Sequence, residues 1–112
     1  VETISTPSLV NLDYADVQAI MNDEWNDIGY VISSTHRVAV LRRLATGPAT
    51  PSQIAADTSI SISHVSRALG ELREKSLVDL LVSEERKKGR VYGITDKGES
   101  IWEEIEVKNL VE

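Results

Sequence analysis

The sequence predicts a mainly α fold with a small β-hairpin wing, that is, a winged helix-turn-helix with extra N- and C-terminal helices. Amphipathic helical periods recur along the chain, a short helix that starts at Pro51 is followed by a polar turn and a second helix, and two apolar segments enclose a basic turn at 84–90. The 112 residues suit one domain, and 41% hydrophobic with 27% charged residues is ordinary globular composition.

An amphipathic helix is predicted near the N-terminus, after a flexible arm at residues 1–12. We expect residues 13–112 to form a single winged-helix domain, with a dimerisation helix at 13–32, a core at 33–95 and a C-terminal helix at 96–112. One face of the first helix holds apolar residues at spacings of three and four: Tyr14, Val17, Met21, Trp25, Ile28 and Ile32. Its opposite face is acidic, so this helix must bury its stripe away from any phosphate backbone.

The core is predicted to begin with two short helices separated by a Gly47-Pro48 break. Ser33-Ser34 supplies cap-type residues for the first helix. We expect its inward face to hold Val38, Leu41 and Leu44 or Ala45, and its outward face to hold Arg37, Arg42 and Arg43. Thr50 is predicted to cap the second helix, with Pro51 at the first position. The small buried face of that helix is expected to hold Ile54, Ala55 and Ala56.

The helix at 61–75 carries the strongest functional signal. Ser61 is predicted to cap it, and Val65, Leu69 and Leu72 fall at i, i+4 and i+7 and face the core. The outward face then holds Ile62, Ser63, His64, Ser66, Arg67 and Arg73. Such a helix fits the major groove of DNA, where Arg67 would donate two hydrogen bonds to a guanine. A solvated helix face is the alternative interpretation of the same residues.

A β-hairpin with a basic tip is predicted next, from strands at 77–83 and 91–95. Its turn contains Gly89, which tolerates positive φ, and four basic residues, Arg86, Lys87, Lys88 and Arg90. We expect these to contact the DNA backbone or the adjacent minor groove. Thr50, Ser52 and Gln53 are expected to contact DNA from the helix that begins at Pro51, here called the positioning helix. Taken alone, the turn is also consistent with an ordinary solvated loop.

Thr95 is predicted to cap a last, acidic helix whose apolar strip contains Ile101, Trp102, Ile105 and Leu110. A winged core of about 65 residues is too small to bury this strip together with that of the first helix. We therefore expect a homodimer whose interface contains Tyr14, Val17, Met21, Trp25, Ile101, Trp102 and Ile105. The alternative is that Trp25 and Trp102 close the core of a monomer.

Charge is distributed unevenly along a chain whose net charge is −6. Residues 1–30 carry six acids and no Lys or Arg, residues 31–95 carry ten Lys or Arg against six acids, and residues 96–112 carry two against six. An acidic protein is ordinarily a poor partner for nucleic acid, because phosphate neutralisation supplies most of the non-specific affinity. Here the basic excess coincides with the motif, so double-stranded DNA is the expected partner.

The composition also disfavours several classes of function. The chain has no Cys and only two His, which are far apart in sequence, so we expect no metal site and no cofactor that needs one. No apolar run approaches the ~20 residues of a membrane span, which predicts a cytoplasmic protein with no membrane partner. An enzyme is not expected, because the sequence has no phosphate loop and no paired His and carboxylate at useful spacing.

Four segments of the core are distinctive. They are Ile32-Ser33-Ser34-Thr35-His36-Arg37-Val38-Ala39-Val40-Leu41, Thr50-Pro51-Ser52-Gln53-Ile54-Ala55 after the Gly47-Pro48 break, Ser63-His64-Val65-Ser66-Arg67-Ala68-Leu69, and Lys88-Gly89-Arg90-Val91-Tyr92-Gly93-Ile94-Thr95. Together they resemble the small archaeal winged-helix transcription regulators related to the ArsR, MarR and PadR groups. The resemblance implies a recognition helix at 61–67 in the major groove, a wing at 86–90 on the backbone and terminal helices that build a homodimer. Many relatives have Gly where this chain has Ser59 and Ser76, so the resemblance does not determine the backbone geometry of these two turns.

The acid-rich ends, few Lys residues and absence of Phe also resemble proteins of salt-loving archaea. Haloarchaeal regulators that respond to reactive oxygen species are one candidate match within the resemblance. Binding that relies on counterion release weakens steeply with salt, so a protein in molar salt needs another source of affinity. Our hypothesis is that inorganic cations at the DNA interface, held between phosphates and Glu71, Glu84 or Glu85, supply it.

A function of a different class stays open at this point, a winged-helix protein-interaction module of a transcription-related assembly. Such a module would bind protein through its acidic helices, and loss of duplex affinity on replacing Arg67 and the wing bases would argue against it. A two-fold dimer predicts instead a pseudopalindromic operator, with half-sites about 10 bp apart or a multiple of that distance.

Overall fold

A computed structural model of the protein describes residues 24–82 and 89–111. Within these ranges the elements are α1 at 24–32, α2 at Thr35–Leu44, α3 at Pro51–Thr58, α4 at Ile62–Glu74, β1 at Val78–Leu80, β2 at Tyr92–Ile94 and α5 at Asp96–Val107. This is the predicted order, so the fold class, a mainly α winged helix-turn-helix, is confirmed. No helix in the described ranges has the length and apolar character needed to cross a bilayer.

Several predictions fall outside the described residues. They concern the arm at 1–12, the start of the first helix at 13, the side chains of Tyr14, Val17 and Met21, and the hairpin tip with Glu84, Glu85, Arg86, Lys87 and Lys88.

A side chain sets the N-terminus of each helix from α2 to α5. Ser34, Thr50, Ser61 and Thr95 each accept a hydrogen bond from the backbone N–H three residues later. In α3 the cap is reciprocal, because Gln53 Oε1 also accepts from the Thr50 backbone N–H at 2.9 Å. All four predicted caps are confirmed, and each is worth about 1 kcal/mol of stability.

The core lies where α2, α3 and α4 pack on one another and meet the sheet and α5. Most of the residues predicted to face inward on these helices are buried. They are Val38, Leu41, Leu44, Ile54, Val65, Leu69 and Leu72. Of the alternatives Leu44 and Ala45, Leu44 is the buried residue. One expectation for this core was wrong, since Ala56 is exposed. A second concerns Arg37, which was expected outside but has a side chain only 13% exposed.

The terminal helices close this same core. Ile28 and Val31 of α1 are buried, and Ile101, Trp102 and Ile105 of α5 are 3%, 5% and 0% exposed. The prediction that these three residues of α5 contribute to a dimer interface is therefore corrected, because the chain itself covers them. The monomer alternative thus holds for Trp102 but not for Trp25, which is 46% exposed.

The wing is tied to the start of α3 by backbone hydrogen bonds. β1 and β2 pair antiparallel with Val78 opposite Ile94 and Leu80 opposite Tyr92, so each strand is shorter than predicted. Ala49, which immediately precedes the α3 cap, donates to the Tyr92 carbonyl at 3.0 Å and accepts from the Tyr92 N–H at 2.9 Å. The bridge holds the N-terminus of α3 beside the base of the wing.

Two serines occupy the backbone positions at which relatives were expected to have Gly. Ser59, after α3, has φ 62°, and Ser76, after α4, has φ 63°. Both lie in the left-handed region, which suits a helix C-terminus but costs a side-chain-bearing residue more than it costs Gly. The turns thus have the geometry that Gly favours, although the residues are Ser.

Alanine substitutions at two helical glycines are predicted to have opposite effects. A Cβ at the exposed Gly70 meets nothing within 4 Å, so Gly70→Ala should stabilise the fold by about 0.5–1 kcal/mol through helix propensity. A Cβ at Gly98 collides with the Leu77 carbonyl oxygen, so Gly98→Ala should destabilise by about 1–3 kcal/mol. Urea unfolding of both variants checks this, and a stabilised Gly98→Ala would contradict the packing of α5 on the β1 segment.

Candidate nucleic-acid interface

The outward face of α4 is as predicted in its first two turns. Val65, Ala68, Leu69 and Leu72 are buried, and this leaves Ile62, Ser63, His64, Ser66 and Arg67 exposed. The Arg67 side chain is 79% exposed, and Arg73, in the last turn, is half-buried. Hydrogen-bond donors therefore line the first two turns, which are the turns that reach base edges when such a helix enters a major groove.

A wide groove beside α4, here called the wing groove, brings together three separately predicted sets of residues. Its volume is about 930 Å³, and it is lined by Thr50, Pro51, Ser52, Ile62, Ser66, Gly89, Arg90 and Tyr92. Residues of α3, α4 and the base of the wing thus share one surface. Sequence reasoning did not assign Tyr92, whose bridge to Ala49 makes this convergence possible.

The three predicted residues of the positioning helix differ in how available they are. Ser52 is exposed and lines the wing groove. Thr50 and Gln53 cap α3 through each other, since the Gln53 N–H donates to Thr50 Oγ1 at 3.2 Å. The carbonyl of Gln53 is occupied by the cap, so a contact with DNA would use its amide NH2, which only donates.

Arg37 joins three elements behind the exposed face of α4. Its Nη1 donates to Glu71 Oε1 at 2.9 Å, its Nε donates to the Tyr30 carbonyl at 2.7 Å and its Nη2 donates to Ser33 Oγ at 2.9 Å. The guanidinium also lies 4.0 Å from the centre of the Tyr30 ring. Arg37 thus connects α1 with α4, a role that its position in the sequence did not indicate.

Glu71 connects this network to the predicted guanine-reading residue. Its Oε2 lies 3.4 Å from Arg67 Nε, four residues earlier on the same helix. The hydrogen bond from Arg37, with the charges of Arg37 and Arg67, lowers the pKa of Glu71 below its ordinary value despite an opposing effect of burial. Two guanidinium groups therefore already balance this carboxylate, and the expectation that Glu71 holds an inorganic cation is replaced by an ion-pairing role.

His36 and His64 form a contact that sequence reasoning missed. Their rings stack with centroids 4.5 Å apart and an interplanar angle of 19°. They line a second cavity of about 240 Å³, here called the histidine hollow, with Ser34, Arg37, Arg67, Ala68 and Glu71. Among the described residues no group of three or more His, Asp or Glu side chains has the geometry of a metal site. The only signal in the sequence was that each His lies in the first turn of its helix.

The other two arginines of α2 lie outside both cavities. Arg43 Nε pairs with Asp57 Oδ2 of α3 at 2.7 Å, and the Arg42 guanidinium lies 5.4 Å from the centre of the Trp102 ring. Arg42 and Trp102 line a separate cavity with Glu99, Glu103 and Glu106, so the acidic side of α5 is distinct from the candidate DNA face.

The fold and this surface define the chain as a winged helix-turn-helix protein of the type found in transcription regulators. It resembles the structure of a double mutant of ZitR from Lactococcus lactis, with a TM-score of 0.61 and 23% sequence identity. The match covers 69% of this chain and only 53% of the ZitR chain. It also resembles a homodimeric winged helix-turn-helix DNA-binding domain, Mb0332 from Mycobacterium bovis, described as a possible ArsR-family regulator (TM-score 0.60, 24% identity, 85% of this chain and 83% of that one). NMB1585, a MarR family regulator from Neisseria meningitidis, matches with a TM-score of 0.62 and 25% identity over 84% of this chain and 67% of that one.

The family is established by sequence. The model of the HVO_A0261 N-terminal domain matches residues 25–111, and the chain belongs to this family. No curated protein matches the chain in sequence.

Replacing Glu71 by Gln should lower the stability of the fold in a pH-dependent way. Because the pKa of Glu71 is lowered in the folded state, its charge contributes stability that is fully present above the ordinary glutamate value of about 4.3. That contribution disappears as the pH falls through the lowered pKa, so wild type and Glu71→Gln should converge in acid. Urea unfolding at several pH values between about 3 and 7 measures this.

Glu74→Gln, an exposed change on the same helix, is the matched control. If Glu71→Gln and Glu74→Gln lost the same stability at neutral pH, the Arg37–Glu71 pair would have no special role.

Proposed function

We propose that this protein is a sequence-specific regulator of transcription that binds double-stranded DNA as a homodimer. The observation that carries the proposal is the wing groove, where exposed residues of the positioning helix, α4 and the wing base converge. Each of these elements had been predicted separately to contact DNA. Their convergence on one surface favours a duplex partner over a solvated helix face.

In this proposal α4 enters the major groove, and different side chains contact bases and phosphates. Arg67 reads a guanine through two hydrogen bonds, and the apolar Ile62 contacts a thymine methyl. Ser61, Ser63, His64, Ser66 and Arg73 contribute base or phosphate contacts along the same helix, and Thr50, Ser52 and Gln53 contact the duplex from α3. Arg86, Lys87, Lys88 and Arg90 of the wing contact the backbone or minor groove.

The homodimer is supported by apolar surface at the ends of the described chain. Trp25 is 46% and Val107 is 74% exposed, and the Lys108 ammonium lies 5.8 Å from the centre of the Trp25 ring, which places the two helix ends side by side. Exposed Trp and Val at one place favour a protein contact over solvent. Tyr14, Val17 and Met21 are proposed to extend this surface.

A finer proposal concerns the physiological role. The acidic composition and the resemblance of the core segments support a haloarchaeal regulator of the response to reactive oxygen species. Such a protein must bind DNA in concentrated salt, where counterion release contributes little, so cations between acidic side chains and phosphates are part of this proposal.

Arg67→Ala should weaken and broaden DNA recognition. Loss of a bidentate guanine contact costs about 1–3 kcal/mol, roughly five- to 150-fold in affinity for the best site. Wild type and variant are incubated with genomic fragments at about 0.2 M and about 2 M salt, and the recovered fragments are sequenced. We expect wild type to enrich a shared inverted repeat that Arg67→Ala loses.

Arg43→Ala is the matched control, because it removes the same charge outside both cavities of the candidate DNA face. Equal losses for Arg43→Ala and Arg67→Ala would show that only overall charge matters. No enrichment by wild type at either salt concentration would refute DNA reading and favour the protein-interaction module.

Trp25→Ala should shift the protein from dimer to monomer. Removing the ring takes apolar area from the proposed interface. Leu81→Ala is the control, because Leu81 lies at the wing and is 53% exposed, comparable with 46% for Trp25. Sedimentation equilibrium of wild type and both variants checks this. A monomeric wild type, or equal dissociation of both variants, would contradict the proposed interface.

A further inference from the structure

The two histidines of the chain meet in space although 27 residues separate them in the sequence. His36 lies in the first turn of α2 and His64 in the first turn of α4, and their rings stack at 4.5 Å. The chain has two His and no Cys. Imidazole is the type of side chain that ordinarily changes its charge near neutral pH.

Hydrogen bonding leaves most of the ring nitrogens of the stack available. His64 Nδ1 lies 3.0 Å from Ser61 Oγ, the hydroxyl that also caps α4. Among the described residues, His64 Nε2 and both nitrogens of His36 have no hydrogen-bond partner. His64 is exposed and His36 is half-buried, and both residues line the histidine hollow.

The charges around the stack favour an anion. The charged groups that line the hollow are Arg37 from α2 and Arg67 and Glu71 from α4. Glu71 pairs with both arginines, at 2.9 Å and 3.4 Å, so the hollow has a positive excess before either imidazole is protonated. Groups of the hollow that can donate to a ligand include the two imidazoles, the Ser34 hydroxyl and the exposed Arg67 guanidinium.

We propose that the histidine hollow is a binding site for a phosphodiester group of the DNA backbone, with His36 and His64 as donors to its oxygens and a proton taken up from solvent on binding. This inference rests on the proposed function, because it requires a duplex over α4. A phosphate oxygen favours the charged form of an imidazole that donates to it. Affinity for DNA therefore rises as the pH falls through the range in which imidazole titrates.

His36 is the residue that this site adds to the proposed DNA contacts. It belongs to α2, outside the recognition helix and the wing, and only the stack brings it to the DNA face. A backbone contact there would set the orientation of α4 without reading sequence, as phosphate contacts generally do. The site would also make the regulator sensitive to pH.

The affinity of the full chain for a random-sequence duplex of about 20 bp tests the proposal, measured by fluorescence anisotropy at about pH 6 and about pH 8 and constant ionic strength. We expect wild type to bind roughly three- to tenfold more tightly at the lower pH. His36→Gln and His64→Gln should each reduce this ratio, and the double variant should abolish it. Gln keeps a donor but takes up no proton.

Arg90→Ala, which removes a basic side chain from the wing groove and not from the histidine hollow, is the control for simple weakening of the complex. It should bind less tightly at both pH values but keep the wild-type ratio. Urea unfolding of each His variant at neutral pH verifies that the fold is intact. A ratio that persists in the double variant, or a wild type without pH dependence, would overturn the histidine site, whereas a wild type that binds no duplex at either pH would refute the proposed function itself.

The origin of the bound phosphate is tested separately by NMR of the histidine ring protons. Addition of the duplex should shift the signals of both rings. Inorganic phosphate at the same total phosphate concentration should leave them unchanged. Saturation by inorganic phosphate alone would assign the hollow to a free anion and overturn the backbone contact.

Discussion

The burial of one face of α4 is the constraint on which the rest of this structure depends. Val65, Ala68, Leu69 and Leu72 are at most 1% exposed, and burial of each large aliphatic side chain stabilises the fold by about 1.5–3 kcal/mol. Rotating the helix would return these side chains to water, so its orientation is determined by the core. Because a helix has 3.6 residues per turn, the same packing turns Arg67 and its polar neighbours outward.

Besides the apolar core, a network of polar contacts around Arg37 holds the helices together. A charge taken partly out of water is tolerated only where its hydrogen-bonding groups find partners, and Arg37 uses Nε, Nη1 and Nη2 for three different acceptors. Those acceptors belong to Tyr30, Ser33 and Glu71, so one side chain connects the end of α1 to α4.

Among the described residues, acidic side chains of α5 and the basic side chains of the candidate DNA face lie on separate surfaces. Glu99, Glu103 and Glu106 of α5 line a cavity with Arg42 and Trp102. None of the residues that line this cavity belongs to the wing groove or the histidine hollow. In the histidine hollow, the one lining carboxylate, Glu71, is balanced by two arginines. At distances beyond about 10 Å, salt screens much of the remaining repulsion between exposed acids and phosphates.

The sequence by itself determined the order of the elements, the four caps and the exposed face of α4. These features depend on residues within a few positions of one another, such as Ser61 and the N–H of His64, so local pattern suffices to predict them. Only the tertiary structure decided that Arg37 is largely covered, that His36 stacks on His64, that Trp102 lies in the core and that the wing base meets α3. Each of these contacts joins residues distant along the chain, as Arg37 and Glu71 are at a separation of 34 residues, and their meeting depends on how whole helices pack. The periodicity of a single helix carries no information about which side chain of another helix will lie against it.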